Sequence, residues 1–131
     1  MSEQRLVYLD NNATTRVAPE VVEAMLPCLT EHWGNPSSAY SLAAEPARLI
    51  EEARERVARL IGANSRNIVF TSCGTESNNA ALQGATLANP AKRHVVTTAV
   101  EHSANIKFCR HLEKRGYEVT HLPVDLDGAI D

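Results

Sequence analysis

Apolar positions recur every three to four residues in four stretches of the chain and form short unbroken runs in three others. The first periodic stretch contains Val22, Met25, Leu26 and Leu29. Pro19 ahead of it suits a first helical turn, whereas Pro27 inside it should kink or shorten the helix. Upstream, Leu6-Val7-Tyr8-Leu9 reads as a short extended segment closed by the polar loop Asp10-Asn11-Asn12. Downstream, Gly34-Asn35-Pro36-Ser37-Ser38 is a run of turn formers and therefore a loop. The best helix spans about Ala43 to Ile61, where Leu49, Ile50, Ala53, Val57, Leu60 and Ile61 make one apolar face. Glu52 with Arg56 and Glu55 with Arg59 are i,i+4 pairs for the wet side. Gly62 suits the position just past the helix end. This helix reads as scaffold, its charges as a solvated face.

The pattern then changes. Ile68-Val69-Phe70-Thr71 has the look of a buried strand, and Ser72-Cys73-Gly74 of a tight turn. A helix is expected from Thr75 to about Ala88, before Asn89-Pro90. His94 to Thr98 reads as a second strand, a helix follows Ser103 and stops at Gly116, and Tyr117 to Leu122 is a third strand. Strand, helix, strand, helix, strand is a βαβαβ unit, which calls for a parallel sheet with right-handed crossovers. Asp125-Leu126-Asp127-Gly128 is a turn, and Ala129-Ile130-Asp131 looks like the approach to another element. Three parallel strands alone leave edges unpaired, so the sheet is expected to be incomplete.

Composition narrows the function classes. At 131 residues the chain allows one domain. Hydrophobic residues at 44% and charged residues at 22% argue against disorder. A net charge of −3 and 5% aromatics disfavour a nucleic-acid surface. Apolar runs are too short to span a membrane. Met1-Ser2-Glu3-Gln4-Arg5 leads into no apolar stretch and does not read as a signal peptide, which points to the cytoplasm. Cys28, Cys73 and Cys109 are odd in number and lack a C-x-x-C pair, which favours reduced thiols over disulfides or zinc. Cys28 and Cys109 fall in helical patterns and are expected in or near the core.

Ligands of open parallel sheets bind at the carboxyl ends of the strands, and two turns here belong there. The first is Thr71-Ser72-Cys73-Gly74-Thr75-Glu76-Ser77. Free N–H groups at the helix start, with the Ser72 and Thr75 hydroxyls, would suit an anion such as phosphate. The plainer alternative is that Ser72 or Thr75 merely caps the helix. The second turn is Ala99-Val100-Glu101-His102-Ser103, with Ser103 a natural N-cap. His102 could be an acid–base group, a stacking ring or a surface histidine, and pattern alone favours the last. Cys73 near a helix N-terminus should have a lowered thiol pKa, which admits a nucleophile paired with His102.

In series, four motifs resemble the N-terminal part of a cysteine desulfurase of the NifS/IscS type, a pyridoxal-phosphate enzyme of aminotransferase class V. They are Tyr8-Leu9-Asp10-Asn11-Asn12-Ala13-Thr14-Thr15, Gly34-Asn35-Pro36-Ser37-Ser38, Phe70-Thr71-Ser72-Cys73-Gly74-Thr75-Glu76-Ser77-Asn78 and Glu101-His102-Ser103-Ala104-Asn105. The resemblance covers the whole chain in order. It departs at Tyr40, where the family usually has histidine, and near Ala44, where it often has glycine. Neither position reads as catalytic.

The resemblance implies an α/β fold. Residues 1–62 would be an N-terminal arm and helices. Residues 63–131 would begin the pyridoxal-phosphate-binding large domain of a fold-type-I enzyme, as its first βαβαβ part. Gly74 and Thr75 match the residues that hold the cofactor phosphate. His102 matches the histidine that stacks on the pyridine ring and assists proton transfer. Asn11, Asn12, Ala13 and Thr14 match the segment lining the substrate side. The implied reaction takes L-cysteine to L-alanine, passing sulfur to an enzyme thiolate and on to an acceptor or iron–sulfur scaffold protein, in a homodimer. The Ser-x-His-Lys motif that carries the cofactor does not occur around Lys92, Lys107 or Lys114. None of the three cysteines matches the sulfur carrier. The chain alone is therefore expected to be inactive. Rival readings are another class V enzyme such as a selenocysteine lyase, a non-catalytic binding module, and the Cys73–His102 hydrolase.

Overall fold

The computed structural model describes residues 7–130. Two compact units divide the chain, Met1–Val69 and Phe70–Asp131.

In the first unit, α1 spans Pro19–Thr30 with Pro19 at its start. Pro27 does not shorten it, contrary to expectation. Proline removes one N–H from the ladder, but its carbonyl accepts from the amides of both Glu31 and His32 at 2.9 Å, so the last turn closes downstream. Residues 7–9 form no strand, and Leu6 lies outside the described residues. Gly34 is buried, and a Cβ there would drive into the Leu42 carbonyl, so the loop passes this point only as glycine. Asn35 Oδ1 accepts the Ser37 amide at 3.0 Å and sets the turn. A 3-10 turn, Ser41–Ala43, leads into α2, Ala44–Leu60.

Helix α2 carries the expected ion pairs, Arg56–Glu52 at 3.6 Å and Arg59–Glu55 at 3.9 Å, and Arg48 joins Glu45 to Glu52 as well. It ends where Gly62 takes φ 66°, the left-handed conformation glycine allows. Its expected apolar face is not buried, however. Ile50 and Val57 are 40% and 38% exposed, and Leu60 is 85% exposed. The helix instead buries Pro46 and Ala58, and it packs on Ser41–Ala43 and a second 3-10 turn, Ser65–Asn67. Close approach of these turns selects small residues, not the long ones. Cys28 is exposed, against the expectation of a core thiol, because no part of α1 is buried.

The second unit is built around β1, His94–Thr98, and β2, Glu118–Leu122, which pair in parallel from His94↔Glu118 to Thr98↔Leu122. Helix α3 spans Gly74–Ala88 and α4 spans Ser103–Lys114. α4 is the crossover between the strands, packs on β2 and contacts α3. Ala104, Cys109 and Leu112 of α4 are buried. The architecture is α/β with a partial parallel sheet, as expected.

The expected first strand is missing: residues 68–71 join no ladder. Ile68 keeps an extended backbone, but its carbonyl accepts from Arg54 Nη1 at 2.6 Å, a side-chain partner in place of a neighbouring strand's amide. A strand needs a partner as well as a pattern. The Asp125–Gly128 turn forms as read, with the Gly128 amide on the Asp125 carbonyl at 3.1 Å. Among the described residues no helix is long and apolar enough to cross a membrane.

Candidate functional site

Five residues separate α3 from β1 and four separate β1 from α4, which crosses over to the parallel β2 and so starts from the end where β1 finishes. Gly74 and Thr75 open α3, and His102 opens α4, so the second unit holds all three. Asn11, Asn12, Ala13 and Thr14 lie in the first unit, on an exposed turn where the Ala13 amide meets the Asp10 carbonyl at 3.1 Å.

At the start of α3, neither Ser72 nor Thr75 caps the helix. Cys73 is the N-cap residue, with an extended backbone and no side-chain cap bond. Ser72 is instead held from inside the helix: its amide and its hydroxyl each donate to Glu76 Oε2 at 2.7 Å. Those two donors hold the Glu76 carboxyl below the usual carboxylate range, the amide contributing most. The Thr71 and Ser77 hydroxyls join at 2.6 Å and brace the same turn. Glu76 was not among the candidates; an acid in the first turn of a helix is common, and nothing in the sequence marks its return to Ser72.

The Cys73 thiol lies over the free helix start. Its pKa is lowered, first by the Glu76 N–H, then by the Ser72 hydroxyl 3.8 Å away, and also by the Thr75 N–H. Backbone hydrogens of Thr75 and Glu76 thus already favour negative charge at this point. Nothing lies within 4 Å of where a Cβ on Gly74 would sit, so the space above the first turn is open. Thr75 is exposed. Convergent N–H donors, a hydroxyl and a glycine that leaves room are a donor set that fits a phosphate dianion.

His102, not Ser103, is the N-cap of α4. Its Nδ1 accepts the Ala104 amide at 3.2 Å, and its carbonyl accepts the Asn105 amide at 2.9 Å. Imidazole can serve as the cap because its Nδ1 reaches the N–H two residues on, as the side-chain oxygen of an ordinary N-cap does. A nitrogen that accepts carries no proton, so the neutral ring is the Nε2–H tautomer. The residue is exposed, which leaves the ring and Nε2 open to a ligand. No hydrogen bond joins His102 to Cys73, so the paired nucleophile and base of a hydrolase are not formed.

Residues 7–131 match the family model described as aminotransferase class-V. Over 126 residues the chain is 55% identical to cysteine desulfurase 2 of Trichormus variabilis, covering 96% of this chain and 32% of that protein. It is 49% identical to the cysteine desulfurase NifS of Azotobacter vinelandii, covering 95% of this chain and 31% of that one. A solved structure described as a NifS-like protein superimposes with a TM-score of 0.88 at 40% identity, covering 95% of this chain and 35% of that one. The chain therefore spans about a third of the length of the curated relatives it matches. With the match extending over all but its first six residues, the chain belongs to the aminotransferase class-V family.

Proposed function

We propose that this chain supplies the phosphate cradle and the ring-facing histidine of a pyridoxal-phosphate-dependent cysteine desulfurase, which releases L-alanine from L-cysteine and hands the sulfur to an acceptor or iron–sulfur scaffold protein. The observation that carries the reading is the start of α3, where Thr75 and Glu76 amides already draw negative charge beside an open Gly74. Gly74 and Thr75 would hold the phosphate through amide and hydroxyl donors. His102, fixed through Nδ1, would lay its ring against the cofactor and offer Nε2 for proton movement. Stacking of that kind contributes about 0.5–1.5 kcal/mol beyond area burial. Asn11 to Thr14 would line the substrate side. The bound cofactor acts as an electron sink for the substrate's carbon framework. We place the protein in the cytoplasm, as a homodimer in its working form.

Titrating pyridoxal phosphate into the chain, followed by tryptophan emission and cofactor absorbance, tests the reading. Thr75→Val should weaken binding about tenfold, the scale of one charge-assisted hydrogen bond, and His102→Ala by up to about tenfold, the scale of the lost ring stacking. Unchanged affinity in both variants would overturn it. Borohydride treatment should leave Lys92, Lys107 and Lys114 unmodified, since none lies in a Ser-x-His-Lys motif. A pyridoxyl-lysine at any of them would contradict the expected inactivity of the chain alone.

A further inference from the structure

The turn that presents His102 is closed by a carboxylate that the cofactor reading leaves without a role. Glu101 lies between the end of β1 and the start of α4 and is itself partly buried. Its Oε1 accepts from the Thr98 hydroxyl at 3.2 Å, on the last residue of β1. Its Oε2 accepts from Asn105 Nδ2 at 2.8 Å, in the first turn of α4. One carboxylate therefore ties strand to helix across the four residues that separate them, and His102 sits inside that span.

Asn105 shows what the tie costs. Its Oδ1 is buried and has no hydrogen-bond partner. A buried amide oxygen left unpaired is unfavourable, and turning the amide over would face that oxygen to the Glu101 carboxylate. The observed arrangement gives up the oxygen to keep the charged bond. Farther along α4, the buried Cys109 thiol is pushed up by burial first, then by the Glu113 and Glu101 charges.

We infer that Glu101 is a positioning residue for His102, holding the β1–α4 turn through Thr98 and Asn105 so that Nδ1 stays on the Ala104 amide and the Nε2 side of the ring stays aimed outward. The importance of that aim rests on the proposed cofactor reading, but the brace itself can be tested without cofactor. The bond between the Ala104 amide and His102 Nδ1 has its own signature, a scalar coupling between the two nitrogens across the hydrogen bond, read on the labelled full chain.

That coupling should be present in the wild type, lost in Glu101→Ala and retained in Glu101→Gln. Glutamine keeps an oxygen for Asn105 and an amide hydrogen for Thr98. Ala104 amide exchange should accelerate about tenfold in Glu101→Ala, while the Glu118 amide of β2, held by the Arg93 carbonyl at 2.8 Å, stays at its wild-type rate, marking a local opening. Coupling that persists in Glu101→Ala, or disappears equally in Glu101→Gln, would overturn the inference. If Glu101→Ala also frees the Glu118 amide, Thr98→Val and Asn105→Ala each cut one arm of the brace. Unchanged coupling in both would overturn it equally. Pyridoxal phosphate affinity is measured separately. Intact affinity in Thr75→Val and His102→Ala removes the cofactor reading and leaves the brace standing, whereas a failed coupling test removes the brace alone.

Discussion

Cys73 and Glu76 share one turn of backbone and draw on neighbouring donors: the Ser72 amide and hydroxyl hold Glu76, while the Glu76 amide and the Ser72 hydroxyl lean on Cys73. Both groups are stabilised in their charged forms by fixed dipoles rather than by a cation. A thiol with a lowered pKa is deprotonated at lower pH than an ordinary one, so the pH profile of Cys73 alkylation by iodoacetamide should rise with a midpoint below the usual thiol value. Ser72→Ala should move that midpoint back up. Cys109 runs the other way, its thiol pushed up by burial, and should label only after unfolding. Mass-spectrometric labelling across pH checks both, and equal profiles for the two cysteines would contradict the assignment. The lowered Cys73 pKa was legible in the sequence as a cysteine before a glycine and a helix start. The Ser72–Glu76 clasp was not, because it depends on a side chain folding back against the chain direction.

At the level of elements, the helices were the readable part. Helix α3 starts at Gly74, one residue before the expected Thr75, and α4 starts at Ser103. β1 matches the reading residue for residue, because its apolar run is bounded by a proline turn and a polar loop. What failed were features that depend on a partner. Residues 68–71 have the composition of a strand, yet Arg54 takes the Ile68 carbonyl. Ser103 has the chemistry of a cap, yet the helix begins one residue earlier, with His102 as its N-cap and Ser103 already inside the first turn. The loop from Gly34 makes its own prediction. Gly34→Ala must push against the Leu42 backbone, not a flexible side-chain tip. It should cost about 1–3 kcal/mol, read as a lower denaturation midpoint at unchanged slope. A variant as stable as the wild type would show that the loop can give way.

Across the whole molecule, many large apolar residues remain at the surface. Met25, Leu26 and Leu29 of α1 are exposed, as are Leu60 and Ile61 at the end of α2. Contiguous apolar surface of this kind binds hydrophobic dyes and promotes association. The chain should therefore enhance the emission of anilinonaphthalene sulfonate in its native state, with Leu26→Glu and Leu29→Glu together reducing the signal while the circular-dichroism spectrum is kept. No enhancement before denaturation would mean that these faces are covered in solution. Composition counts apolar residues but not how many of them the chain can bury.

The sequence by itself determined the helices, the extended runs of the two strands, the order of the motifs and the residues of the candidate cradle, because each rests on neighbours within a turn or two. Helical periodicity, glycine at positive φ and donors at a helix start are local physics. Tertiary structure alone decided which apolar faces are buried, that a strand-like run stays unpaired, that histidine rather than serine caps α4, and that Glu101 spans the turn behind it. Each of those outcomes is a competition among groups for the same amide, carbonyl or surface. Only the distances between them say which group wins.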